Sequence, residues 1–430
     1  MQYKSMIVKK VLIITYYFPP SGGAGVQRWL KTMKFLPEFG IEPVILTVDA
    51  QFASYPQLDP SMIDEVPANC KVYRTKSREI LSLYKKVSPN KEVPYGGFAN
   101  EPQPNLFQKI ARFIRGNFFL PDPRKGWNKY AYQKACEIIQ QEGIETVITT
   151  SPPHSTQLVG LKLKKKFPSI QWIADLRDPW TEIYYNKDLY QTQWAQNKNL
   201  RYERSVLTHA DNIITVSDDC AKLFNQKVAT ELPITVLPNG YDPDDFAHPN
   251  TITSNGKKVL SYVGVFSPQY RMDVLVKGLQ QIADAWKDKL LLRFVGVVCD
   301  EAKQLLTQLP YEVEYIDYVP HAKAVDYMCS ADVLLLCIPD IPNNQGILTG
   351  KLFEYLATQK PILLVGPKEG DAATILNKCQ AGSCCSYHSD ELAHYLDTIL
   401  QADTNLSSTY YQQYSRRYAA QRLAEMIQQS

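Results

Sequence analysis

At 430 residues the chain is too long for one core of ordinary size, and we expect two or three domains of about 150 to 200 residues. A composition of 45% apolar and 21% charged residues fits a soluble globular protein, and no run approaches the roughly 18 apolar residues needed to cross a bilayer. The formal charge of +3, with no zinc-finger spacing and no sustained basic stripe, argues against nucleic acid, and nine cysteines without CxxC spacing read as small core residues in a reducing compartment.

The start, MQYKSMIVKK, leads into a strand from Lys10 to Thr15 with no signal-peptide cleavage pattern, so a cytoplasmic location is expected. Tyr16 to Gly25 (YYFPPSGGAG) then forms a glycine-rich turn before a helix over 26–39. Gly22 and Gly23 allow a ligand or another loop to approach the backbone, although the turn is neither GxGxxG nor a Walker loop. Ile41 to Val48 is a second strand, and the proline-rich stretch over 50–105 yields no clear elements. In NLFQKIARFIRGNFF, Leu106, Phe107, Ile110, Phe113 and Ile114 share one helical face while Lys109, Arg112 and Arg115 lie elsewhere; such a helix suits an anionic membrane surface or the flank of its own domain.

A helix over 126–142 and a strand over 144–150 lead to Ser151-Pro152-Pro153-His154-Ser155. The next strand, over 170–174, ends in Asp175-Leu176-Arg177-Asp178-Pro179-Trp180, so two adjacent strands finish in polar loops. His154, just before a helix, suits phosphate binding or acid–base work through its near-neutral reference pKa, or else braces the loop. Asp175 and Asp178 are paired carboxylates that Arg177 can neutralise. Ser217-Asp218-Asp219 reads as a helix cap, and the Pro- and Gly-rich PNGYDPDD marks the joint between domains, which we place at 245/246.

The second domain alternates strands and helices from Lys258 onward, with a helix over 272–287. Its first loop holds Ser267-Pro268-Gln269-Tyr270-Arg271, and Arg271 stands at the end of a strand. The apolar run Val333 to Ile338 breaks into a loop with Pro339, Asn343, Asn344 and Gly346, followed by GILTGKLFEYLATQK and the strand over 361–365. At helical spacing Leu348, Leu352 and Leu356 share one face, while Lys351, Glu354 and Thr358 share another roughly 130° away. First-turn amides and Lys351 suit an anion, Glu354 suits a pair of hydroxyls, and an ordinary surface helix is the alternative. Arg271 and Lys351 converging from different strands are what a diphosphate needs. Cys384-Cys385 is read as buried strand, and a helical tail runs over 408–428.

Taken together, YYFPPSGGAGVQRW, TSPPHSTQLVGLKLKKKF, WIADLRDPW, LPNGYDPDDF, YVGVFSPQYR and GILTGKLFEYLATQKPILLVG resemble a GT-B glycosyltransferase of the large retaining family 4. The resemblance covers almost the whole chain apart from 50–105. It implies an α/β fold of two Rossmann-like domains with parallel sheets facing a central cleft: an acceptor-side domain over 1–245, a nucleotide-sugar domain over 246–407, and a C-terminal helix over 408–430 crossing back to the first. It places Gly22 and Gly23 near the donor phosphates and the acceptor, and His154 close to the transferred sugar. Arg271 falls where the family often has the lysine of its Arg/Lys clamp, but Val265 follows Gly264 where the arginine is expected. Of the family's two glutamates, Glu354 matches the ribose-binding second, whereas Gly346 occupies the first position; Asn343, Asn344 and the amides of Gly346, Ile347 and Leu348 are expected to replace it.

The reaction implied is transfer of a sugar from a nucleoside diphosphate to an acceptor hydroxyl with retention, and with no metal or other cofactor. His154, Arg271 and Lys351 would be the catalytic residues, and the departing phosphate could take the acceptor proton. The acceptor is expected to be a glycan or lipid-linked sugar, as in bacterial surface-polysaccharide or glycolipid synthesis, with peripheral association at the inner face of the cytoplasmic membrane. Two other classes use the same residues: a nucleotide-sugar epimerase or hydrolase drawing on His154 with Asp175 or Asp178, and a non-catalytic nucleotide-sugar-binding protein.

Overall fold

The computed structural model describes residues 8–78, 106–387, 391–402 and 408–429. It forms two compact units, Met1–Pro238 with Ala419–Ser430, and Asn239–Tyr418.

In the first unit, β1 (Lys9–Ile14), β2 (Ile41–Val48), β3 (Lys71–Thr75), β4 (Thr146–Ser151), β5 (Gln171–Leu176), β6 (Asn212–Thr215) and β7 (Ile234–Val236) pair in parallel in the order β3-β2-β1-β4-β5-β6-β7. Its helices are α1 (Ala24–Phe35), α2 (Leu106–Phe118), α3 (Asn128–Glu142), α4 (Gln157–Lys166), α5 (Gln193–His209) and α6 (Asp218–Asn225). Short apolar strands joined by helical crossovers require cover on both faces, because alternate residues point to opposite sides. Val11, Ile13, Ile45 and Ile148 accordingly pack with Trp29, Leu30 and Met33 of α1, and with Leu423, Ala424 and Ile427 of the last helix. Leu12, Ile14, Val44 and Val147 pack with Ala131, Ala135 and Ile138 of α3 on the other face.

The second unit repeats the plan. β8 (Lys258–Val263), β9 (Leu290–Val295), β10 (Glu312–Ile316), β11 (Val333–Cys337), β12 (Ile362–Val365) and β13 (Gly382–Cys385) run parallel in the order β10-β9-β8-β11-β12-β13. Its main helices are α7 (Met272–Gln281), α8 (Asp300–Leu306), α9 (His321–Cys329), α10 (Gly350–Ala357), α11 (Asp371–Lys378) and α12 (Leu392–Gln401); α13 (Arg416–Gln428) then returns the chain to the core of the first unit. In each sheet the strand order reverses once, between β1 and β4 and between β8 and β11. The carboxyl ends of those four strands are where an open α/β sheet leaves a crevice for a ligand.

Several elements differ from the sequence reading. The strand β3 lies in the stretch that gave no clear pattern, because as an edge strand it is only half covered and carries no apolar run. Residues 79–105 of that stretch fall outside the described ones. The helix expected over 272–287 breaks at Ile282, and the helix of the Lys351 stretch begins at Gly350, which leaves Leu348 in the preceding loop. The units divide at Pro238/Asn239, ahead of the joint expected at 245/246. Within that joint Asp242 caps a short turn by accepting from the Asp244 amide, so this carboxylate has a structural use. Cys384 and Cys385 lie on β13, and burial pushes both thiols up, to about 11 and about 12.

Candidate functional site

At the switch point of the first sheet, the loop after β1 is braced from within. The Gly22 amide donates to Gln57 O at 3.0 Å, so it is spent on the protein rather than presented to a ligand. Gly23, with φ 95°, adopts the left-handed backbone that a side chain would strain, and it starts α1. Next to it the Arg177 guanidinium lies over Gly25, where a Cβ would come within 3.2 Å of Nη2, while Arg177 Nε donates to Ser151 O at 3.0 Å. Arg177 therefore does not neutralise Asp175, as the order Asp-Leu-Arg-Asp suggested.

Asp175 belongs to Arg28. It is fully buried and accepts from Arg28 Nη2 (3.0 Å), Trp29 Nε1 (2.8 Å) and Thr150 Oγ1 (2.7 Å). With its lone pairs committed, this carboxylate ties α1 to β4 and β5 and is not placed to act as an acid or base. Asp175→Ala is expected to destabilise the protein by about 3–5 kcal/mol in urea unfolding, because it removes the buried carboxylate that Arg28, Trp29 and Thr150 all bond; a loss below about 1 kcal/mol would contradict this structural role.

His154 follows β4 and is buried, stacked on Trp180 with ring centroids 4.8 Å apart. Its turn is pinned by Asp122, a residue the sequence did not flag, which accepts from the Ser155 amide at 2.6 Å and from Ser155 Oγ at 2.9 Å. Asn128 Nδ2 adds a bond to Ser155 O at 2.7 Å. Among the described residues neither ring nitrogen of His154 has a partner in hydrogen-bonding geometry, and the Trp180 indole N–H beside it also lacks one. Burial, reinforced by the Arg177 and Lys227 charges and only weakly opposed by the Pro179 carbonyl, pulls the imidazole down to about 3. The near-neutral acid–base role expected from the reference pKa is thus replaced by a neutral ring with unused hydrogen-bonding capacity.

In the second unit, Lys351 in the first turn of α10 reaches back to the end of β8. Its Nζ donates to Tyr262 Oη at 2.6 Å and lies 4.5 Å from that ring, while Tyr262 Oη donates onward to Val265 O at 2.8 Å. The amine passes so close to Gly264, φ 122°, that a Cβ there would sit 2.8 Å from Nζ. Among the described residues no carboxylate lies within ion-pairing distance of it. Burial is the main cause that draws its pKa down to about 8, with Cys337 and Glu354 opposing. Beside it Thr349, the N-cap residue of α10, makes no capping bond, and its buried hydroxyl has no partner among the described residues. An ammonium without a carboxylate partner, a hydroxyl without a bond and first-turn amides are groups chemically suited to an anion.

The other expected residues are arranged differently. Arg271 is held by two carboxylates, Asp273 (Nη2–Oδ2 2.7 Å) and Asp340 (Nη1–Oδ2 3.1 Å), which push its pKa up; a phosphate would have to displace or share them. Glu354 Oε1 meets His321 Nε2 at 3.0 Å. The sequence gave no sign of this, since His321 begins α9 and the two meet only through the fold. Asn344 bridges Pro339 O and Tyr387 Oη, both at 3.0 Å, and the Ile347 amide donates to Asn344 O, so both brace the loop. Asn343 is exposed with φ 59°; Gly346 and Leu348 are half-buried in the same loop.

The sequence model of the family described as Glycosyltransferase Family 4 matches residues 95–245. A curated relative, the Phosphatidylinositol N-acetylglucosaminyltransferase GPI3 subunit of Saccharomyces cerevisiae, is 27% identical over 141 residues, which is 30% of this chain and 31% of the relative. The chain thus spans about a third of the length of the curated relatives it matches. Two similar solved structures extend over nearly the whole chain. One is the N-terminal domain of Candida albicans trehalose-6-phosphate phosphatase (TM-score 0.63, 14% identity, 100% of this chain and 99% of that one). The other is Anabaena HepE in complex with UDP (TM-score 0.61, 13% identity, 98% and 100%). Two parallel Rossmann-like sheets and this whole-length likeness lead to one conclusion: the chain has the GT-B fold, and within it residues 95–245 match the sequence model of Glycosyltransferase Family 4.

Proposed function

We propose that the protein is a retaining glycosyltransferase that moves a sugar from a nucleoside diphosphate to a hydroxyl of a glycan or lipid-linked acceptor. The observation that carries this reading is the Lys351 ammonium, desolvated and without a carboxylate partner at the switch point of the second sheet. Burial of an unpaired cation is unfavourable, and an anion that fills the site removes the penalty. Lys351, Thr349 and the α10 amides would hold the diphosphate and stabilise the charge that develops as it leaves; the leaving oxygen then takes the acceptor proton. Glu354, oriented by His321, is suited to the nucleotide's hydroxyls. His154, neutral and unpaired, would hydrogen-bond the transferred sugar, and Gly23 allows the acceptor side to approach the backbone. Arg271 would contribute only by loosening from Asp273 and Asp340.

The commitment of Asp175 to Arg28 leaves the hydrolase or epimerase reading without one of its expected acid–base groups. HepE is described in complex with UDP, and the yeast relative is named for N-acetylglucosamine transfer to phosphatidylinositol; both support a uridine donor and a lipid-borne acceptor. Such an acceptor fits surface-polysaccharide or glycolipid synthesis and a peripheral place at the inner face of the cytoplasmic membrane. Among the described residues no helix is long and apolar enough to cross a membrane.

The test is binding and turnover of UDP-, GDP- and dTDP-sugars with and without extracted lipids, with the product's anomeric configuration read by NMR. One donor class should bind selectively and yield a retained glycoside on the acceptor. Hydrolysis or epimerisation without transfer, or no binding across the panel by folded protein, would contradict the reading.

A further inference from the structure

At the carboxyl end of β8, side chains of α10 take the place of a neighbouring strand. β8 and β11 pair at Leu260 with Val333 and at Ser261 with Leu334, but farther along β8 the Val263 amide donates to Tyr355 Oη at 3.0 Å and not to β11. Tyr355 and Lys351 lie one turn apart on α10, so they share the face turned to β8. Lys351 makes the second contact, through Tyr262. The Tyr262 side chain is 1% exposed, and its ring is fixed by Phe266 and Phe294, with centroids 4.9 Å and 6.3 Å away. Its O–H donates to Val265 O at 2.8 Å, which leaves the oxygen lone pairs to accept from the Lys351 ammonium at 2.6 Å. An ammonium can only donate and a carbonyl can only accept, so the direction of both bonds is settled.

A phenol suits this task in a way that a carboxylate would not. Asp273 and Asp340 pair with Arg271 and take up the charge that a phosphate would need. The Tyr262 oxygen is neutral; it orients the Lys351 ammonium through one bond and leaves the remaining N–H groups, and the charge, to a ligand. Three other titratable groups face the amine: Tyr270, whose ring centroid is 6.0 Å from Nζ, Cys337 on β11, and Glu354 on α10 itself. Burial pushes the phenols of Tyr262 and Tyr270 up, and the Cys337 thiol to about 12, so none of these three gains a charge where Lys351 titrates. Glu354 is engaged with His321.

We infer that Tyr262 is a positioning residue for donor binding: with its proton committed to the Val265 carbonyl, it holds the Lys351 ammonium charged and aimed where the diphosphate is received. This rests on the role proposed above for Lys351. The test is calorimetry of UDP binding to the full chain between pH 6.5 and 9.5. Wild-type affinity should begin to fall near pH 8. The phenol lone pair favours the charged amine, so Tyr262→Phe should move that break down by at least about half a pH unit. At pH 6.5, where the amine is charged in both proteins, the variant should bind about tenfold more weakly because the cation is no longer aimed. Tyr355→Phe is the control: it removes a buried phenol bond between the same helix and strand, and should lower Tm while the break stays near pH 8. In the Lys351→Met background Tyr262→Phe should cost less than about threefold in affinity, since the group it acts through is gone. With the buried charge removed, that comparison also carries the test if Tyr262→Phe alone does not fold. A break that Tyr262→Phe leaves in place, one that Tyr355→Phe moves as far, or a loss above about threefold in the Lys351→Met background would overturn the proposal. The two readings stay distinguishable: a wild-type break that Lys351→Met abolishes and Tyr262→Phe leaves in place sinks only the tyrosine's role, whereas a wild type that binds UDP without a break sinks the reading of Lys351 itself.

Discussion

Lys351→Met is expected to lower kcat/KM for the nucleotide-sugar donor by about 10²–10³-fold, the loss typical when one preorganised charge-stabilising group is removed. The fold should not suffer. In the free protein the ammonium is desolvated, and its pKa falls from the usual 10.5 to about 8. The charged form is therefore a cost to the folded state below pH 8, and that cost fades as pH rises toward 10.5. Methionine removes it with little change in shape, and Tyr262 keeps its bond to Val265 O. A Tm equal to or above wild type with turnover nearly abolished would separate function from folding; turnover within about threefold of wild type would show that the cation is not used. Gly264→Ala should act through the same amine, because its Cβ would fill the space Nζ occupies.

His154→Ala is expected to lower kcat by about 10² while leaving the affinity for UDP within about twofold, since its proposed partner is the transferred sugar and not the nucleotide. The ring takes with it the stack on Trp180 and at most a weak interaction with the Pro179 carbonyl. An imidazole held at about 3 is already neutral at every working pH, so the wild-type pH–rate profile should show no limb from this residue near 6.5. Its depressed pKa also has a stability consequence. Unfolded His154 binds its proton near 6.5 and the folded residue only near 3, so stability should decline as pH falls from 6.5 toward 3, and less steeply in the alanine variant. A pH–rate limb near 6.5 that disappears in His154→Ala would contradict this assignment.

What the sequence shows of this protein is what periodicity and local order can encode. Apolar runs such as Val333 to Cys337 and Leu290 to Val295 are buried strands with helical crossovers, and so the doubly wound sheets were legible. The ends of β1, β4 and β11 were legible as site positions, because glycine, histidine and polar loops there interrupt buried strands. Pairings across the fold were not. Arg177 stands between two aspartates in sequence, yet Asp175 pairs with Arg28, 147 residues away. His321 and Glu354 sit on different helices, and Asp122 reaches Ser155 from another loop. Nor does a sequence show that a lysine is desolvated or that an N-cap threonine lacks its bond. The face of α2 was visible as a pattern, but its outward orientation depends on Gly116 and Asn117, whose contacts come from the segment before α5.

The central claim, that Lys351 receives the donor diphosphate, is tested most directly by calorimetry of UDP binding between pH 7 and 9.5 in wild type and Lys351→Met. Above about 8 the free amine has lost its proton and must regain it when the diphosphate binds. Wild-type affinity should therefore fall about tenfold per pH unit beyond that point, with proton uptake approaching one. The methionine variant should bind weakly and without this slope. A wild-type affinity flat across the range, or the same slope in both proteins, would contradict the assignment.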